Sequence, residues 1–259
     1  MQFSDTSGQQ GLIQDCEFWV GLGKAQISGD TDKLAAFTRL INNRYDYYVT
    51  MLLNAQDEWD FDDSNNSGYG IFTRNLVANQ QDYVFSTVSW SRENKEGSAA
   101  TASQTLDILK IKRVEITYDG TNWYKVEPID INEIGVATDT AGIAEQFSTA
   151  EPYYDLESNA IKLYPIPASA VTGGLKVWIY RNVDAFTTTD TTQAPGFDRV
   201  FHSLLSMGAS VDWMISKSMD ARGDLSAKLQ GMEVLFMKHY GNKQVDRNIE
   251  LKPAFVNYT

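Results

Sequence analysis

The stretch Gly174–Trp213, GLKVWIYRNVDAFTTTDTTQAPGFDRVFHSLLSMGASVDW, decides the fold. Leu175, Val177 and Ile179 alternate with Lys176, Trp178 and Tyr180, the two-residue period of a β-strand whose faces are differently solvated. Pro195 stands where a first-turn proline pre-sets the helical φ angle, and Phe197, Val200, Leu204, Met207 and Val211 recur behind it at three-to-four spacing. The spacing predicts a hand-over from a β region to a helix running from Pro195 to Met219.

Upstream, short alternating runs cover residues 71–76, 83–90, 106–118, 123–126, 153–156 and 161–164. Asp119-Gly120-Thr121-Asn122 and Glu157-Ser158-Asn159 read as hairpin loops between them. The small, polar residues 91–105 read as a flexible loop, and 135–150 leaves room for a short helical turn. Short strands at this spacing favour an antiparallel sandwich or a small barrel. Before this region, Leu12, Ile13, Cys16, Trp19, Val20 and Leu22 mark a first amphipathic helix. A long stripe follows, Leu34, Phe37, Ile41, Tyr45, Tyr48, Leu52, Ala55 and Trp59, opened by the capping residues Asp30-Thr31-Asp32. After the β region and the Pro195 helix, Leu225, Leu229, Met232, Phe236 and Tyr240 form a last stripe.

The expected class is therefore α+β: amphipathic helices from both ends of the chain form a bundle, and a central antiparallel β-sandwich or small barrel is inserted between them. The expected division is a helical domain of residues 1–63 and 195–241, a β-rich insertion of 64–194, and an extended C-terminal tail of 242–259.

Composition narrows the function. Of 259 residues, 42% are apolar and 22% charged, which suits a folded chain, and the net charge of −12 opposes a grip on nucleic acid, where lysine and arginine must neutralise phosphates. Residues 1–194 carry 14 basic against 27 acidic side chains, whereas 195–259 carry 8 against 7. No apolar run spans a bilayer and MQFSDTSGQQ lacks signal-peptide character, so a protein made in the cytoplasm is expected. Cys16 is the only cysteine, which removes intrachain disulfides and cysteine-based metal sites and suits a small buried residue.

Chemistry is sparse. The only histidines are His202 and His239. Asp198, His202 and Ser203 suggest a triad, but adjacent helical residues point about 100° apart, so His202 reads as a hydrogen-bonded helix residue. Asp60-Phe61-Asp62-Asp63-Ser64-Asn65 lacks the glycine and distal glutamate of a calcium loop. No enzyme, metal or cofactor is expected. Asp57, Glu58, Asp60, Asp62 and Asp63 crowd the negative pole of the long helix unless it stops near Ala55, and so point to a basic partner surface, a channel wall or plain solvation.

The ordered set of segments resembles the head-to-tail adaptor proteins of tailed bacteriophages, encoded near the portal gene. Its carriers are Trp59–Asn65, Asn79–Tyr83, Ile111–Glu115, Trp123–Asp130, Pro152–Asp155, Ile161–Pro165, Gly173–Val177, and the order TTDTT, APGF, FH in 188–202. The resemblance implies a structural protein of the virion's head–tail junction: a homo-oligomeric ring, usually dodecameric, that docks on the portal and extends the channel through which duplex DNA passes without specific binding. It also implies an attachment surface for a tail or nozzle protein, and no membrane partner. Ile249, Leu251, Phe255, Val256 and Tyr258, apolar or aromatic residues beyond the last helix, would form a portal-binding tail. Tyr45, Tyr47 and Tyr48 offer more aromatic surface than one core seam needs and suit an interface. The alternative is a carbohydrate- or receptor-binding β module of the tail, with Trp90, Trp123 and Trp178 as stacking platforms.

Overall fold

The computed structural model describes residues 1–56, 68–85, 90–94, 101–104, 108–130, 132, 142–143, 146–219 and 222–242. The chain divides into two compact units, Met1–Asn66 with Val183–Thr259, and Ser67–Asn182. Among the described residues the first contains four helices and the second nine strands, an α+β fold with helices at both ends.

In the helical unit, α1 (Leu12–Val20) ends on Gly21, whose φ of 74° turns its N–H back to the carbonyls of Glu17 and Phe18. Helix α2 (Thr31–Gln56) starts where Asp30 Oδ1 accepts the N–H groups of Asp32 and Lys33 at 3.1 and 3.0 Å. Its stripe Phe37, Ile41, Tyr45, Tyr48 and Leu52 is buried against α3 (Ser203–Ser216) and α4 (Arg222–Asn242). Rings join the three: Phe37 meets Trp213 at 4.8 Å, Tyr48 meets Phe236 at 5.8 Å, and Phe197 lies within 5.7 Å of both Tyr45 and Phe236. Arg44 of α2 grips Asp212 of α3 with two hydrogen bonds, and Gly208 makes room for it, since a Cβ there would sit 2.9 Å from Arg44 Cδ.

The helix expected from Pro195 begins instead at Ser203, after a single 3-10 turn at Arg199–Phe201. Tertiary bonds hold the preceding residues out of the helix. Gly196 N–H donates to Tyr45 Oη at 2.6 Å, and Asp198 N–H donates to Tyr240 Oη at 3.0 Å. The extended backbone at Asp198 then drops Phe197 into the aromatic core and leaves Val200, expected inside, 72% exposed. The threonine-rich loop also belongs here: Phe186 exchanges two hydrogen bonds with the Asn42 amide, and Phe3 N–H donates to the Gln193 carbonyl at 2.6 Å.

The β unit is one sheet in the order β2-β8-β7-β6-β5-β9-β1-β3-β4. Its strands are β1 (Gly68–Leu76), β2 (Asp82–Val84), β3 (Trp90–Asn94), β4 (Thr101–Gln104), β5 (Ile108–Ile116), β6 (Tyr124–Pro128), β7 (Tyr153–Glu157), β8 (Ala160–Tyr164) and β9 (Val171–Arg181). All pairs are antiparallel except β6–β7, so the sheet is mixed. It curls into a half-barrel around one core, in which Leu175, Val177 and Ile179 of β9 meet Phe72, Val114, Ile116, Tyr83 and Trp90. The curl brings β2 to β3, which are not ladder neighbours: Trp90 Nε1 donates to the Val84 carbonyl at 3.1 Å. Ser158 and Asn159, with φ of 53° and 61°, make the tight β7–β8 turn. Residues 91–105, expected as a loop, contribute most of β3 and the edge strand β4, because a strand can be held by ladder hydrogen bonds without a periodic apolar face.

Candidate interaction surfaces

Each unit encloses its own core, so what remains for function is what each leaves outside. On the helical unit Phe18, Val200, Ile215, Met219, Val234 and Leu235 project into solvent, with Phe18 71% exposed. Of the tyrosine trio, Tyr45 and Tyr48 are fully buried and only Tyr47 is exposed. The interface expected of all three is thus reduced to one, because Tyr48 Oη is engaged by the Glu233 carboxylate at 3.0 Å and Tyr45 Oη by Gly196.

A polar cleft of about 680 Å³ lies beside α1, lined by Asp5, Gln9, Gln10, Asp15, Arg199 and His202 among others. Several of its groups are committed to structure. Asp15 accepts from the Trp19 indole at 3.0 Å and from Ser206 Oγ. Glu17, which does not line the cleft and is 3% exposed, accepts from the N–H groups of Ala25, Ile27 and Ser28 and from Ser28 Oγ, and so fixes the turn after α1. No local pattern marks this buried carboxylate, since only folding sets four donors around it.

His202 Nε2 lies 2.8 Å from the Phe197 carbonyl, while Asp198 pairs with His239 at 2.6 Å, so the three triad residues do not converge. Burial lowers the His202 pKa from its ordinary 6.5 and outweighs the hydrogen bonds to the Phe197 and Met1 carbonyls, which act to raise it. The sign follows from linkage: the unfolded chain takes up a proton that the folded imidazole resists, so stability is retained above pH 6.5 and lost as pH falls below it. Urea unfolding between pH 7 and 5 should show a decline absent from His202→Gln, with a slope of at most ~1.4 kcal/mol per pH unit for one proton. Identical profiles would refute it. Cys16 is buried, and desolvation raises its thiol pKa well beyond neutrality, which makes it inert.

On the β unit Lys176 and Trp178 of β9 lie on the face opposite Leu175, Val177 and Ile179, while Tyr180 on that same face is itself buried. Lys176 Nζ stands 5.2 Å from the Trp123 ring and 5.5 Å from that of Trp178. Trp123 is 43% exposed and follows a rigid loop in which Asp119 Oδ1 accepts the N–H groups of Thr121 and Asn122, both at 2.8 Å. These bonds hold the Asp119 carboxyl far below its usual range. Trp90, the third expected platform, is completely buried.

The acidic cluster Asp57, Glu58, Asp60, Asp62 and Asp63 and the tail residues Ile249, Leu251, Phe255, Val256 and Tyr258 lie outside the described residues. Among the described residues no group of three His, Cys, Asp or Glu side chains is placed to hold a metal ion. No described helix is long and apolar enough to cross a membrane.

A family model, that of the SU10 adaptor protein, matches residues 52–248. The chain belongs to the SU10 adaptor protein family. The matched span takes in the whole β unit, the Gly174–Trp213 stretch, α3 and α4. No curated protein matches the chain. Membership makes it a phage adaptor-type structural protein of the virion, in a family that is not an enzyme class.

Proposed function

We propose that this SU10-family adaptor forms a ring at the head–tail junction, docks on the portal, extends the DNA channel and presents the surface to which the tail attaches. The observation that carries the reading is the pairing of a completed aromatic core with large apolar side chains left outside it. Phe18 on α1 and Val234 and Leu235 on α4 are 71%, 67% and 59% exposed. Scattered apolar exposure is ordinary, but two consecutive aliphatic residues on one helix together with a phenylalanine on another suit a heterologous interface, in which one patch meets a different patch of the next copy. The ring is expected to be a dodecamer. The net charge of −12 suits a passage that lets duplex DNA through without holding it.

In this reading the helical unit forms the ring. The tail residues Ile249, Leu251, Phe255, Val256 and Tyr258 dock on the portal as an extended peptide. The acidic cluster Asp57–Asp63 faces the channel or a basic partner surface. Native mass measurement with and without portal should give a closed ring or a ring joined to portal. Removing residues 244–259 should leave a folded chain with portal affinity reduced at least about 100-fold, the loss of roughly 3 kcal/mol of contact. Undiminished portal binding would sink the tail assignment, and a monomer under all conditions would sink the ring. The carbohydrate-binding alternative keeps the exposed Trp123 but loses Trp90 to the core, and Lys176 already lies against the Trp123 and Trp178 rings.

A further inference from the structure

We propose that the cleft beside α1 binds an acidic side chain of an extended peptide segment from a partner protein, with Arg199 as the group that receives its carboxylate. The contact is independent of ring closure.

The walls of the cleft come from separate segments of the helical unit: Gln9 and Gln10 from the N-terminal arm, Asp15 from α1, Thr192 from the threonine-rich loop and Arg199 from the 3-10 turn. Hydrogen bonds fix these segments to one another. Ser4 N–H donates to the Thr191 carbonyl at 3.2 Å, which ties the arm to the loop, and Thr191 N–H donates to Gln193 Oε1 at 3.0 Å. The segment that carries Arg199 is held from three helices: Tyr45 Oη accepts from Gly196 N–H, Tyr240 Oη accepts from Asp198 N–H, and His202 Nε2 lies 2.8 Å from the Phe197 carbonyl. A site whose backbone is already bonded loses little further freedom when a guest arrives. Its volume of about 680 Å³ leaves room for several peptide groups around one carboxylate.

The occupant is identified by which groups of the cleft are engaged and which are not. Both acids are engaged: Asp5 accepts from Gly8 N–H at 2.7 Å and from Ser7 Oγ at 3.0 Å, and Asp15 accepts from the Trp19 indole and from Ser206 Oγ. The His202 imidazole, with its lowered pKa, brings no charge at pH 7. Arg199 is exposed, and among the described residues no acceptor meets its guanidinium; the side chains of Gln10 and Thr192 are likewise without a hydrogen-bond partner there. What the cleft offers is therefore a planar fork of N–H donors beside an amide and a hydroxyl that both donate and accept. The fork suits a carboxylate, and the neutral groups suit the N–H and carbonyl of a peptide chain. The engaged carboxylates of Asp5 and Asp15 exclude other anions, since fixed negative charge repels a doubly charged phosphate or a nucleic-acid strand more than a single carboxylate. Family membership implies contact with other virion proteins, which makes a protein segment the source.

The probe is acetyl-alanyl-glutamyl-alanine amide, titrated into the full-length chain and read by NMR at the Arg199 Nε–H and at the Trp19 indole N–H, which bonds to Asp15 in the cleft wall. Both signals should shift and saturate. The same peptide with glutamine for glutamate should bind about tenfold more weakly, because a charge-assisted hydrogen bond becomes a neutral one. A glutamine peptide with a free C-terminal carboxylate should be as weak as its amide, and equality with the glutamate peptide would overturn the side-chain assignment in favour of a chain end. Inorganic phosphate should bind more weakly than the glutamate peptide; tighter binding refutes a peptide site. Arg199→Gln should lose about tenfold in affinity for the glutamate peptide while keeping the native melting temperature, as its exposed position requires, and Arg199→Lys should recover only part of the loss. Gln10→Ala should also weaken the peptide, a change that attraction to a bare cation would not show. Equal binding of the glutamate and glutamine amides, unchanged affinity in Arg199→Gln, or no shift at about 10 mM peptide refutes the site.

Discussion

Replacing Phe236 by alanine is expected to destabilise the helical unit by about 3–5 kcal/mol, lowering its melting temperature by roughly 6–20 °C. Phe236 is fully buried on α4 and its ring lies within 5.8 Å of those of Tyr48, Phe197, Phe201 and Tyr240. Deleting it empties the point where α2, α4 and the segment before α3 meet. The neighbours cannot collapse into the space, because Tyr48 Oη is tied to Glu233 and Tyr240 Oη accepts from Asp198 N–H. Burial has pushed the Tyr240 phenol up to about 12, a mark of how far that site is withdrawn from water. A loss of this size is a large share of the ~5–15 kcal/mol that holds a typical domain folded. Val234→Ala, on the same helix but 67% exposed, is the control and should leave the melting temperature nearly unchanged. If both substitutions cost the same, the core does not lie where these rings place it.

In the β unit, Trp90→Ala should cost a similar ~3–5 kcal/mol and open the half-barrel at its seam. The Trp90 indole packs 6.1 Å from the Phe85 ring, lies 5.5 Å from the Arg74 guanidinium and donates to the Val84 carbonyl. It is therefore the link between β2 and β3, which share no ladder. The Val84 carbonyl keeps a second donor, Arg74 Nη1 at 2.9 Å, so the expected loss is mostly of packing. Hydrogen exchange should speed first at Asp82–Val84 and Trp90–Asn94, before β5 and β9. Trp123→Ala, which empties no core, should leave this exchange pattern unchanged. Uniform acceleration across all nine strands in Trp90→Ala would show that the seam has no separate role.

Most of the element pattern was legible because burial and periodicity coincide. Leu175, Val177 and Ile179 alternate in the sequence and lie on the core side of β9, and Leu225, Leu229, Phe236 and Tyr240 repeat helically and are buried on α4. Where legibility failed, a long-range hydrogen bond or an edge had outweighed local preference. Pro195 announced a helix that Tyr45 and Tyr240 hold off for eight residues, and the polar residues 91–105 hid strands that need only a ladder.

The sequence by itself determined the α+β class, the helices at both ends, the acidic balance, the thin chemistry and, through the order of its segments, the adaptor resemblance. All of these follow from local periodicity and composition, which need no knowledge of what lies across the fold. Only the tertiary structure decided which aromatics are used up inside and which are left outside. Trp90 and Trp123 read alike along the chain, yet one is sealed in the seam of the half-barrel and the other is 43% exposed beside Lys176. The pairing of β5, β6 and β9 likewise brings Lys112, Lys125 and Lys176 onto neighbouring strands from positions up to 64 residues apart. Charge proximity between distant segments depends on strand pairing, and pairing depends on the burial of the opposite face.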